Sequence, residues 1–303
     1  TYATRFVSPS FGFALGWNYW FNWAITVAAE LAAASIVMAY WWPSVPSWMW
    51  SAGFLALLFL LNVLSARAYG EGEFWFAIIK VAAVLVFLVL GILMIAGIMG
   101  NSPGVSNWHH GDAPFVHGFG GIMTVFLIAG FSFQGTELIG IAAGESKDPD
   151  TAIPKATKQI FWRIMIFYIG AIAVIGLLLP YTDPNLLAGE VTDVAVSPFT
   201  LVLKRAGVAA AAAVLNAVIL TSVLSAGNSG LYASTRMLYA LAREGKAPSI
   251  LGTTNRRGIP VPALIVTTLV GAACFAASLV GSGQAYTWLV NISGLCGFIA
   301  WIG

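Results

Sequence analysis

Eight stretches of this chain stay apolar over about 20 residues or more, the length a helix needs to cross a hydrocarbon core of about 30 Å. They run roughly over 11–41, 48–67, 74–99, 118–144, 161–180, 207–238, 260–280 and 284–303. In lipid, every backbone N–H and C=O must be satisfied within the protein, which leaves helices or a closed barrel. Barrel strands would be about ten residues long with strict alternation, and these runs are longer and unbroken. The expected fold class is therefore all-α integral membrane, with about eight transmembrane helices. Composition agrees. Of the 303 residues 59% are apolar and 9% charged, against about 25% charged in a soluble domain. The net charge of +2 gives no nucleic-acid signal. Cys274 and Cys296 lie in apolar segments, so no disulfide framework is expected. The chain shows no signal peptide and reads as a piece of something longer.

Lysine and arginine placement orients the bundle. Arg5 and the connections after the second, fourth and sixth segments, with their flanks, hold twelve of the 14 basic residues. These include Arg67, Lys80, Lys147, Lys155, Lys158, Arg163, Arg236, Arg243, Lys246, Arg256 and Arg257. Only Lys204 and Arg205 fall on the other side. The basic side is therefore cytoplasmic. The outer side carries His109, His110 and His117 with the acids Asp112, Asp183, Glu190 and Asp193.

The fourth segment, 118–144, departs from a plain span. It would be about 40 Å long if fully helical. Near its middle it carries Gln134, Thr136 and Glu137 among Gly130, Gly135 and Gly140. Either the helix tilts, or it is two half-helices joined by unwound backbone at Gly130–Gly135. Unwound backbone at membrane depth is tolerated only where it is buried in protein or lines a cavity. With polar side chains beside it, it points to a transporter binding site. Glu137 is either a binding or proton-exchanging carboxylate, whose pKa burial would raise, or an acid solvated from a cytoplasmic vestibule. Gln134 lies three residues earlier. Phe131 is either a gate over a solute or a packing residue.

Other polar groups sit at depth. Tyr19, Trp23, Thr26 and Glu30 share one helix face; they either cradle a ligand through aromatic contact or pack. Lys80 lies more than a turn into the third segment, and either snorkels or is a buried amine able to exchange protons. Thr221, Ser225, Asn228 and Tyr232 form a stripe on the sixth segment, suited to close helix packing or to a polar lining. The Asn291-Ile-Ser293 sequon lies at membrane depth and is set aside. The chain contains no HExxH, GxSxG or phosphate loop, so no enzyme and no cofactor are expected. Three histidines in one outer connection are a weak metal signal.

The run GFSFQGTELIGIAAGESKDPDTAIPKATKQIFWRI resembles the signature of bacterial amino-acid permeases of the amino acid–polyamine–organocation superfamily, the lysine permeases most of all. The likeness extends through GFALGWNYWFNWAITVAAELAAASIVM, FLLNVLSARAYGEGEFWFAIIKV, YTDPNLL, VSPFTLVL and NAVILTSVLSAGNSGLYASTRMLY. The resemblance implies an inverted five-plus-five helix repeat, of which this chain looks like helices three to ten of twelve. Residues 1–117 would be the remainder of the first repeat and 118–303 the second. The family's first, second and last two helices, with the glycine-rich carboxylate site of the first, are expected to lie outside this sequence.

On that likeness, Tyr19, Trp23, Phe131, Gln134 and Glu137 line or border the substrate. Lys80, with Glu137, couples transport to protons. Glu190 and Asp193 are outer acids that attract a cationic substrate. The implied function is proton-coupled import of an amino acid, L-lysine first, by alternating access in a bacterial cytoplasmic membrane. The alternatives are a permease for arginine or an aromatic amino acid, or a transporter-like sensor. Expected partners are the amino acid, protons, membrane lipid and a membrane regulatory protein, with no nucleic acid.

Overall fold

A computed structural model describes residues 2–64, 66–100, 102–138, 148–184, 186, 197–208 and 210–302. Among these there are helices and no strands. Helices α1 (Tyr2–Phe6), α2 (Pro9–Ala39), α3 (Ser47–Leu64), α4 (Ala66–Ile95) and α5 (Gly118–Ser132) come first. Then follow α6 (Pro149–Arg163), a π-helical turn at Ile164–Ile169, α7 (Gly170–Leu178), α8 (Pro198–Arg205) and α9 (Ala211–Arg243). The chain ends with α10 (Val261–Gly271), α11 (Ala277–Val280) and α12 (Ser282–Ile302). Seven helical stretches among the described residues are long and apolar enough to cross a membrane.

Capping chemistry sets several ends. Ser8 caps α2, its Oγ accepting from Phe11 N at 3.1 Å, with Pro9 in the first turn. Ser197 and Pro198 repeat this at α8, where Ser197 Oγ accepts from Thr200 N at 3.2 Å. Gly97, at φ +76°, closes α4 while Ile98 N donates back to Leu93 O at 3.0 Å. Gly245 at φ +73° does the same for α9, with Lys246 N on Leu241 O at 2.8 Å.

Hydropathy alone put the fifth and sixth spans at 161–180 and 207–238. The helices instead begin at Pro149 and extend to Arg243. An apolar run ends where the hydrocarbon ends, whereas a helix runs on through polar residues until a cap or glycine stops it. The fourth span is shorter than expected: α5 ends at Ser132, and turns occupy 133–137.

The chain forms two compact units: Thr1–Ala77, Leu127–Gln134 and Leu220–Gly303 in the first, Ile78–Phe126 and Gly135–Ile219 in the second. In the first unit α2 is buried on all sides from Asn22 to Ala29, so it is the central helix. It packs against α3, α10 and α12. Val27, Leu31, Leu58, Leu231 and Leu264 fill the contact. Lipid tails are as apolar as leucine, so association relies on close approach through small residues. Ala24, Ala28, Ala29 and Ala32 are fully buried on α2. A Cβ added at Gly230 would touch Trp23 and Val27 at 3.3 Å.

The second unit packs Phe87 and Leu88 of α4 against Ala171, Val174 and Leu178 of α7 and Val202 and Leu203 of α8. The Phe87 and Phe199 rings lie 4.6 Å apart. Gly91 lets α4 approach α7, because a Cβ there would run into Val174 Cγ1. Gly91→Val should therefore overpack this contact and cost about 1–3 kcal/mol. A lowered unfolding temperature in detergent checks it; an unchanged temperature would show that α4 and α7 part easily.

Candidate functional site

The end of α5 is where the fold places its most unusual polar chemistry. Backbone turns replace the helix after Ser132: Phe133 N donates to Gly130 O and Gln134 N to Phe131 O, both at 3.1 Å. Gly135 adopts φ +93°, a conformation that favours glycine. Its N–H donates to Glu137 Oε2 at 3.1 Å, so the carboxylate helps close the turn that breaks the span.

Within the first unit Gln134 is tied down from two helices. Its Nε2 donates to Asn22 Oδ1 of α2 at 3.0 Å and to the Ser293 carbonyl of α12 at 2.9 Å. Ser293 Oγ lies 3.1 Å from Gln134 Oε1 and 3.2 Å from Asn22 Oδ1. Thr26 Oγ1 is 2.8 Å from the Asn22 carbonyl and 2.6 Å from Ser293 Oγ. Asn22, Thr26 and Ser293 are all buried. The cluster is oxygen-rich. Both amide protons of Gln134 are engaged, and the Thr26 and Ser293 hydroxyls have three oxygens of Asn22 and Gln134 within reach. An ammonium group is the kind of donor such a cluster suits.

Small residues on α12 and α5 make this geometry feasible. A Cβ at Gly297 would collide with Gln134 Nε2, and one at Gly130 with the Phe298 ring. A Cβ at Gly294 would sit 3.9 Å from Phe131 Cβ, an ordinary contact. Phe131 therefore lies against α12, half-buried.

Of the residues expected from sequence, the first unit holds Tyr19, Trp23, Phe131 and Gln134. Trp23 is 4% exposed, and its indole N–H has no hydrogen-bond partner among the described residues. Its ring meets Tyr19 edge-on at 6.4 Å. The second unit holds Lys80, half-buried on α4, and Glu137. Glu190 and Asp193 lie outside the described residues. Asp183, grouped with them in the sequence as an outer acid, is 6% exposed and ion-paired to Arg205 at 2.9 Å. It is structural in this fold. Asn22 and Ser293 were not singled out by sequence. Asn22 does lie one turn from Thr26 on the same face, which was the available signal. Ser293 was hidden in a sequon set aside because of its depth.

A multi-span helical protein with a span that gives way to turns at 133–137, and polar side chains of two other helices converging on Gln134, has a membrane-transporter fold. A family profile described as "Amino acid permease" matches residues 1–303. The chain belongs to that family, which comprises carriers and not enzymes. It is 58% identical over 305 residues to the lysine-specific permease LysP of Escherichia coli (strain K12), covering 100% of this chain and 62% of that protein. It is 52% identical over 309 residues to LysP of Lactococcus lactis subsp. cremoris (strain MG1363), covering 100% of this chain and 60% of that protein. Histidine permease HisP of the same organism is 50% identical over 306 residues, with 100% and 63% covered. The chain thus spans about three fifths of the length of these relatives. Its spans and bacterial relatives make it a multi-pass protein of a bacterial cytoplasmic membrane.

The packing on α12 separates two glycines by consequence. Gly297→Ala should dislodge Gln134 and leave buried amides unpaired, at about 1–3 kcal/mol, whereas Gly294→Ala should be nearly silent. Paired thermal unfolding of the two variants checks this. Equal effects would mean that Gln134 is not held as described.

Proposed function

We propose that this protein imports an amino acid, L-lysine first, together with protons, by alternating access. The observation that carries the reading is the unwound stretch at 133–137, with Gln134 anchored to two helices and Glu137 folded back onto Gly135 N. Breaks of this kind present backbone groups to substrate in the middle of a membrane. The oxygen-rich cluster suits an ammonium group, and Tyr19, Trp23 and Phe131 supply an aromatic wall of the kind that holds cations and alkyl chains. Relatives named as lysine-specific permeases support lysine as the substrate. Lys80 supplies a fixed positive charge in α4 whose proton can be exchanged, and Glu137 is the carboxylate that shares this duty. Membrane lipid surrounds the bundle, and a membrane regulatory protein is a further expected partner.

Uptake of radiolabelled lysine by the full-length carrier in liposomes, under an imposed proton gradient, tests the reading. Arginine, histidine and aromatic amino acids serve as competitors, histidine because HisP is 50% identical. Lysine should accumulate and compete best. Binding without accumulation would indicate a sensor instead. Glu137→Gln should keep monodispersity and lose most uptake. Lys80→Ala should lose proton-driven accumulation while retaining exchange. Uptake that follows sodium and ignores pH would overturn proton coupling.

The outer acids Glu190 and Asp193 are proposed to focus a cationic substrate. Their field is screened within about 8 Å at physiological salt. Replacing both with their amides should raise KM for lysine more at low than at high ionic strength, with little change in maximal rate. A KM unchanged at every ionic strength would make them ordinary surface.

A further inference from the structure

In the second unit a recess of about 480 Å³ opens beside the ends of two membrane spans. Met94, Met99, Ser102, Pro103, Leu178 and Arg205 line it. Met94 is next to last in the span Phe74–Ile95, and Leu178 is the last residue of the span Asp150–Leu178. The recess therefore lies at the depth where hydrocarbon gives way to headgroups, on the face opposite the basic loops.

Among the described residues, its one charged wall is held in place. Arg205 Nη1 donates to the Leu178 carbonyl at 2.7 Å, and Nη2 donates to Asp183 Oδ2 at 2.9 Å. A guanidinium has five N–H donors in a rigid fork, so these two bonds fix its plane and leave others for a ligand. The side chain is 46% exposed, whereas that of Asp183 is 7% exposed. Anion-accepting capacity thus faces outward, and the neutralising carboxylate sits behind it. Ser102 Oγ donates to the Ile95 carbonyl at 2.6 Å and accepts from Gly104 N at 3.1 Å, shaping the rim. The other walls are two methionines, a leucine and a proline, flexible apolar groups suited to an alkyl chain.

We propose that this recess binds an anionic phospholipid of the outer leaflet, with the phosphodiester on Arg205 and an acyl chain along Met94 and Met99. A guanidinium beside an apolar wall at span ends offers a phosphate and an alkyl chain adjoining contacts. A soluble anion would find only half of the site useful. The inference does not depend on what the protein carries.

Native mass spectrometry of the protein, titrated with phosphatidylglycerol or phosphatidylcholine, tests it. Phosphatidylglycerol should occupy one site at least about tenfold more tightly than phosphatidylcholine, equivalent to about 1.4 kcal/mol. Two variants should abolish that preference. Asp183→Asn combined with Arg205→Gln removes both charges while leaving groups that can hydrogen-bond each other. Met94→Trp fills the recess and leaves the ion pair intact. A preference that survives both variants would overturn the proposal. So would full displacement of the bound lipid by glycerol phosphate, which would show that a soluble phosphate suffices. A uniform loss of stability with the lipid preference retained would reduce Arg205 to a strut between α7 and α8, also overturning it.

Discussion

A membrane span cannot lose its helix without a substitute for the lost hydrogen bonds, because hydrocarbon offers none. The turns at residues 133–137 meet that demand, and in the first unit the packing around Gln134 follows from it. Gly135 supplies the backbone conformation, and Glu137 supplies an acceptor for its N–H. Gln134 is engaged by Asn22 and Ser293. Those partners must approach closely, which explains glycine on α12 at 297 and the buried course of α2 from Asn22 to Ala29. A polar cluster at this depth is costly if half-satisfied. It persists because two helices converge on the break from different parts of the chain.

Helical class and seven of the eight expected spans were legible in sequence because each follows from a local rule; the fourth segment, left open between a tilted and a broken helix, gives way to turns at 133–137. An apolar run of span length has few alternatives, and a cluster of glycines beside Gln134 and Glu137 is hard to reconcile with an uninterrupted helix. The helix ends at Pro149 and Arg243 were not legible from hydropathy, which reports the membrane and not the hydrogen-bond ladder. The partners of Gln134 were not legible for another reason. Asn22 and Ser293 are separated from it by 112 and 159 residues. No periodicity within one helix can announce such a pairing. Asp183 shows the same limit: its crowding with other acids suggested an exposed field, and only the fold brings Arg205 to it.

The second unit solves its packing differently. It brings aromatic and branched side chains together around Phe87, and it uses Gly91 to seat α4 on α7. Its polar bonds gather at the span ends: Arg205 reaches Leu178 and Asp183, and Asn107 Nδ2 donates to the Leu177 carbonyl at 2.7 Å. The carbonyls at the end of α7 have no following helical turn to bind them. Side chains from the outer connection and from α8 take that place, so one helix terminus organises three separate stretches of chain.

The π-helical turn at Ile164–Ile169 has its own consequence. Each residue of an α-helix advances the chain by about 100°, and a wide turn accommodates about one residue more than an α turn. The surplus residue sets the phase of α6 against α7. A relative lacking it would keep both helices and their caps, but the faces of the two halves would meet about a quarter turn apart. The basic residues Lys155, Lys158 and Arg163 would then point in a new direction while the apolar half stayed seated. A single insertion or deletion here re-aims a charged surface without disturbing the membrane anchor, a route to divergence that substitutions do not offer.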